Sequence, residues 1–143
     1  MTTPPTILIA DDDEGHAILI RENLASTGLQ NPILHFRDGQ AVLDFFLQDP
    51  ARAVGSFLLL LDIRMPKVDG IEVLRRLKTD GHLRKVPVIM LTTTDDAREV
   101  SRCHELGCNV YLQKPVDYDR FSDAIRRLGQ FVPLLHVPRL TPG

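Results

Sequence analysis

Cysteine is scarce in this chain: Cys103 and Cys108 are the only two among 143 residues. They stand five positions apart, and no further His or Cys pair completes a zinc motif around them. They are read as two half-buried thiols in a reducing cytosol, not as a redox or metal site. Long apolar runs are missing too, since none approaches the roughly 18 residues of a membrane span. No sign of charge dominates: 17 Lys and Arg face 19 Asp and Glu, a net charge of -2. That balance gives no footprint for nucleic acid or a membrane surface. A glycine-rich phosphate cradle is absent, with neither a GxGxxG nor a Walker pattern. The start, Met1-Thr2-Thr3-Pro4-Pro5, lacks the charged-then-apolar layout of a signal peptide, so a cytoplasmic location is expected. The five histidines (His16, His35, His82, His104, His136) are spread without ligand spacing and read as structural or solvent-facing.

What remains is ordinary globular material, 43% apolar and 25% charged, of a length that fits one domain. Five short apolar runs punctuate it: Thr6 to Ala10, Ile33 to Phe36, Phe57 to Leu61, Val88 to Leu91 and Asn109 to Leu112. Amphipathic stretches alternate with them. Ala17, Ile20 and Leu24 recur at helical spacing before a stop at Gly28. Val42, Leu43, Phe45 and Phe46 lie in a helix from Gly39 to Gln48, and Ile71, Val73, Leu74 and Leu77 mark a third helix. Asp95-Asp96 caps a helix that runs to about Leu106 and stops at Gly107, and a last helix spans Asp117 to Leu128. Such alternation predicts an α/β domain with a parallel sheet. The uniformly apolar third run fits a central strand covered on both faces.

Four of the five runs end on residues suited to phosphoryl chemistry. The first meets Asp11-Asp12-Asp13, the third Asp62, the fourth Thr92, and the fifth leads to Lys114-Pro115. In an open parallel sheet the carboxyl ends of the strands share one edge, where ligands bind. Asp11, Asp12 and Asp62 can then gather oxygens around a hard cation. Mg²⁺ suits a few carboxylates, retained waters and a phosphate, with Mn²⁺ as an alternative. Such a cation removes the repulsion between a carboxylate and an anionic phosphoryl donor. Lys114 adds a point charge and Thr92 a hydroxyl donor for phosphoryl oxygens. Aspartate is a known covalent nucleophile in this chemistry, which supports an aspartyl-phosphate at Asp62. Each signal is weak alone: an Asp run caps helices, a lone Asp ends strands, and Lys-Pro marks a turn. A cis bond before Pro115 is one way to aim Lys114 inward. The combination, in this order, is specific.

On Ile7-Leu8-Ile9-Ala10-Asp11-Asp12, Leu59 to Pro66, Asp69-Gly70, Pro87 to Thr92 and Tyr111 to Pro115, the chain resembles receiver domains of two-component response regulators over residues 5–128. The resemblance implies a five-stranded doubly wound parallel sheet of flavodoxin-like order 2-1-3-4-5 with five helices. It implies phosphoryl transfer from a sensor histidine kinase to Asp62. The cation would be held by Asp11, Asp12, Asp62 and the Arg64 backbone carbonyl, and the phosphoryl oxygens by Thr92 and Lys114. Thr92 and Tyr111 would be the switch pair, the hydroxyl moving toward the phosphoryl group and the aromatic ring turning inward. Two positions depart from the common pattern. Thr93 is β-branched where a small residue is frequent, which narrows access to Asp62. Arg64 stands where Asn is frequent, its side chain able to reach the phosphoryl group or to block water.

The Phe36-Arg37-Asp38-Gly39 segment, the Asp95-Asp96 helix start and the absence of an output domain resemble stand-alone receivers linked to phytochrome-type kinases. Residues 129–143 form an apolar, proline-containing extension. Its Phe131, Leu134 and Leu135 fit an arm laid on a second subunit, as in that group, so a homodimer is expected; the alternative is a tail that folds back on its own domain or is disordered. The signal would pass to a downstream protein or to a histidine phosphotransfer protein. Two rival readings stay open here. A haloacid-dehalogenase-like phosphatase shares the Asp-x-Asp after a strand, although this chain is short for it and Asp62 would have no role. A degenerate receiver used only for protein binding is the other, although every chemical position is filled.

Overall fold

The computed structural model describes residues 4–48 and 53–141. Residues 1–3 of the leader argument and residues 142–143 of the extension lie outside them. Strands β1 (Thr6–Ala10), β2 (Ile33–Phe36), β3 (Gly55–Leu61), β4 (Val88–Thr92) and β5 (Val110–Gln113) alternate with helices α1 (Glu14–Ser26), α2 (Gly39–Leu47), α3 (Gly70–Lys78), α4 (Ala97–Leu106) and α5 (Tyr118–Phe131). All five strands pair in parallel, in the order β2-β1-β3-β4-β5. The expected doubly wound, flavodoxin-like order is therefore met.

Each helix starts on an aspartate whose carboxylate accepts a backbone N–H of the first turn: Asp13, Asp38, Asp69, Asp96 and Asp117 in turn. Such caps satisfy donors the helix itself leaves unpaired. The Asp11-Asp12-Asp13 run thus divides its labour, Asp13 capping α1 and its two neighbours left for the sheet edge. The last expected stop of this kind, Gly107, closes α4 with a φ of 100°, a value that glycine alone adopts freely.

Alternate residues of the central strands feed two apolar layers. Ile7, Ile9, Leu58 and Leu60 pack with Ala17, Ile20 and Leu24 of α1 and Phe121, Ile125 and Leu128 of α5. Leu8, Ala10, Leu59 and Leu61 pack on the other side, with Val42, Leu43, Phe45 and Phe46 of α2 and Val73, Leu74 and Leu77 of α3. Cys103 and Cys108 are buried in this second layer rather than half-buried, both as free thiols. Burial pushes Cys103 up to about 11, which suits a packing role.

The C-terminal segment takes the fold-back alternative. Helix α5 runs past Leu128 to Phe131, a short 3-10 turn follows at Val132–Leu134, and β6 (Arg139–Leu140) pairs antiparallel with the start of β3. Gly55 faces Leu140 in that pairing, and Leu140 is 1% exposed. The segment therefore folds back onto its own domain, while Phe131 and Leu134 stay exposed. Among the described residues no helix is long and apolar enough to cross a membrane. Because Leu140 lies within a core layer, Leu140→Ala is expected to lower stability by about 2–5 kcal/mol. Urea unfolding of the two full chains checks this, and an unchanged midpoint would show the clasp to be ornamental.

Candidate functional site

The site is built by extending the parallel ladder one residue past each strand. Asp62 N donates to Ala10 O at 3.0 Å and Asp11 N to Phe36 O at 3.0 Å, so Asp11 and Asp62 leave neighbouring strands side by side. Lys114 N donates to Thr92 O at 2.7 Å, which ties the end of β5 to that of β4. Four residues separated by up to 103 positions thereby converge, three of them charged and buried: Asp11, Asp62 and Lys114.

Lys114 organises the charges. Its ammonium donates to Asp11 Oδ2 at 2.5 Å and to Asp62 Oδ2 at 3.0 Å. The other oxygens of the two carboxylates accept backbone N–H groups, Asp11 Oδ1 from Asp13 at 2.9 Å and Asp62 Oδ1 from Ile63 at 2.7 Å. Burial raises the Asp11 carboxyl above its ordinary range, against the pull of the Lys114 ammonium. Asp12 stands exposed at the rim, and carboxylate oxygens of Asp11, Asp12 and Asp62 lie within 4.8 Å of one another. Three convergent oxygens of this kind fit a hard divalent cation.

The Thr92 hydroxyl is fully buried and has no hydrogen-bond partner among the described residues. Such a group is costly unless an acceptor reaches it. Thr93 is exposed beside it. Tyr111 is half-buried, and its phenol donates to Thr94 O at 2.9 Å. Burial pushes that phenol up to about 12, so it remains a donor. The Arg64 side chain is engaged at α4, its Nη2 donating to Glu99 Oε1 at 2.6 Å. The Lys114–Pro115 bond is trans, as are all described peptide bonds, so no cis bond aims Lys114.

Three contributors escaped the sequence reading. His16 brings Nδ1 to 3.2 Å from Lys114 Nζ while its ring packs on Phe121, and His35 Nε2 lies 2.8 Å from the Asp11 carbonyl oxygen. Both histidines were read as structural or solvent-facing, without these partners, because their spacing carries no sign of the tertiary contacts. Gly70 is the third. A Cβ there would sit 1.9 Å from the Asp62 carbonyl oxygen, and its N–H donates to Ile63 O at 2.8 Å. The only signal was its place in the Asp69-Gly70 turn.

The response regulator receiver domain model matches residues 7–126. The chain belongs to that family. This receiver is 34% identical over 113 residues to response regulator Rcp1 of Synechocystis, covering 78% of this chain and 77% of that protein. A solved receiver domain from Rhodospirillum rubrum superposes with a TM-score of 0.88 at 44% identity, covering 96% and 99% of the two chains. The phosphorylated cyanobacterial phytochrome response regulator RcpA superposes with a TM-score of 0.86 at 27% identity, covering 95% and 99%. Receiver domains are signalling phosphoacceptors supplied by kinases, and they bind a divalent metal at this acidic pocket; a solved form of Rcp1 is Mn²⁺-bound. Membership sets aside the dehalogenase-like phosphatase.

Gly70→Ala is expected to cost about 1–3 kcal/mol, because backbone, not a flexible side chain, must move. Urea unfolding reads the loss, and full tolerance would mean that α3 need not approach Asp62 so closely.

Proposed function

We propose that this receiver, in the cytoplasm, accepts a phosphoryl group on Asp62 from the phosphohistidine of a sensor kinase, and then switches a partner-binding surface. The Lys114 ammonium carries this reading, because it is buried and bonded to both Asp62 and Asp11. Asp11, Asp12, Asp62 and the Arg64 backbone carbonyl are the group that would hold Mg²⁺, or Mn²⁺ in its place. Bound there, the ion offsets the repulsion between an anionic donor and the carboxylate and stabilises the equatorial oxygens. An Asp62 oxygen bonds to phosphorus as the bond from phosphorus to the donor nitrogen breaks. Lys114 then holds one phosphoryl oxygen. The Thr92 hydroxyl, which lacks a partner, donates to another. Movement of Thr92 leaves room for the Tyr111 ring, which would let go of Thr94 O and turn inward.

The chain acts as a phosphoacceptor with no other substrate in this reading. Its kinship with RcpA favours a bacteriophytochrome-type kinase upstream, and the next step is contact with a downstream protein or a histidine phosphotransfer protein. A passive binding module would not need Asp62, Lys114 and Thr92 together. Incubation with acetyl phosphate and Mg²⁺, followed by intact mass, decides between the two. A phosphoryl-sized gain is expected, absent in Asp62→Asn, absent with EDTA, and reduced in Lys114→Ala; no gain in the native chain refutes the phosphoacceptor.

A homodimer is part of the same proposal. An apolar cavity of about 660 Å³ lies along β5 and α5, lined by Leu91, Leu112, Leu128 and Leu135 among others. Val110, Phe131 and Leu134 are exposed nearby, and a second copy would cover them. Light scattering of the full chain should give a dimer mass, and Phe131→Asp with Leu134→Asp a monomer of unchanged melting temperature. A native monomer at every concentration removes the dimer.

A further inference from the structure

Arg64 stands two residues beyond Asp62, yet its guanidinium is engaged elsewhere. Nη2 donates to Glu99 Oε1 at 2.6 Å, across the gap between the β3–α3 loop and the first turn of α4. The same Oε1 accepts from the Thr94 hydroxyl at 3.0 Å. The Thr94 carbonyl in turn accepts from the Tyr111 phenol. One carboxylate oxygen thus joins the loop after β3, the loop after β4 and α4, with β5 attached through Thr94.

The two members of the ion pair differ in freedom. The Glu99 side chain is 19% exposed and pinned by Thr94, whereas the Arg64 side chain is 66% exposed. Exposed ion pairs of this kind are weak and screened by salt. Phosphorylation of Asp62 would present, two residues away, a group of about -1.5 to -2 charge with three acceptor oxygens. A guanidinium fork matches such oxygens in pairs. Glu99 offers a single charge, already shared with Thr94.

We propose that Glu99 is a positioning residue that parks the Arg64 guanidinium away from Asp62, and that Arg64 exchanges Glu99 for the phosphoryl group once Asp62 is phosphorylated. This rests on the phosphoacceptor reading above and adds to it a phosphoryl contact and the anion that withholds it. The exchange has two consequences. Arg64 shields the phosphoryl group from attacking water, and α4 loses its tie to the β3–α3 loop. Glu99 keeps Thr94, so α4 stays coupled to the segment that anchors Tyr111.

The test uses the full chain with acetyl phosphate and Mg²⁺, following intact mass during phosphorylation and during decay after donor removal. Native protein is compared with Arg64→Ala, Glu99→Gln and the double variant, with thermal melting to confirm folding. Arg64→Ala is expected to shorten the aspartyl-phosphate lifetime about three- to tenfold. Glu99→Gln releases the guanidinium toward the anionic donor and is expected to speed phosphorylation about two- to fivefold, with an unchanged lifetime. In the Arg64→Ala background Glu99→Gln should change neither quantity. A lifetime unaltered or lengthened by Arg64→Ala overturns the exchange, as does a Glu99→Gln effect of equal size with and without Arg64; in both cases Asp62 is still phosphorylated. Absence of any mass gain in the native chain overturns the exchange and the phosphoacceptor reading together.

Discussion

Three buried charges have to coexist at one end of this sheet, and the contact that permits it is the Lys114 ammonium between Asp11 and Asp62. Two carboxylates at the ends of paired strands repel, more strongly as water is excluded. The cation comes from the far edge, which requires β4 and β5 to lie on the Asp62 side and to end at the same height. The order of strands is thus what brings this cation within reach of both carboxylates. A buried ion pair contributes little net stability, because desolvation offsets the attraction. The apolar layers carry that cost. Burial raises the Asp11 carboxyl even with Lys114 beside it, which shows the two effects opposing each other at one atom.

The strands and the residues that end them were legible because each is a short, unmixed apolar run followed at once by a polar group. The sheet order came from resemblance to a family, and the structure repeats it. The end of α5 was misread for a physical reason. The helix was expected to end at Leu128, but Gly129 lies within α5, where a Cβ would sit 2.7 Å from Thr27 Oγ1 at the end of α1. It is glycine for the sake of helix approach, not for a stop. The two-residue β6 has no periodicity to read, and its place is fixed by the burial of Leu140.

The site divides in the same way. Asp11, Asp12, Asp62, Thr92 and Lys114 were visible because strand ends locate them without knowledge of any helix. The contacts of His16 and Glu99 were not, because they depend on where α1 and α4 pack against neighbouring loops. Direct strand-end placement therefore exposes the candidate site residues to sequence reasoning, whereas the side chains that contact them from the helices belong to tertiary structure.

The alternation of side chains along β1 and β3 turns the sheet into a partition. Ile7, Ile9, Leu58 and Leu60 bury their side chains in one apolar layer, and Leu8, Ala10, Leu59 and Leu61 bury theirs in the other. Substitutions in helices on opposite faces, which share no packing partner, should accumulate with nearly independent energetic effects. The α1–α5 flank can consequently be remodelled while the α2–α3–α4 flank retains its own packing, the rim at the strand ends being territory that both must respect.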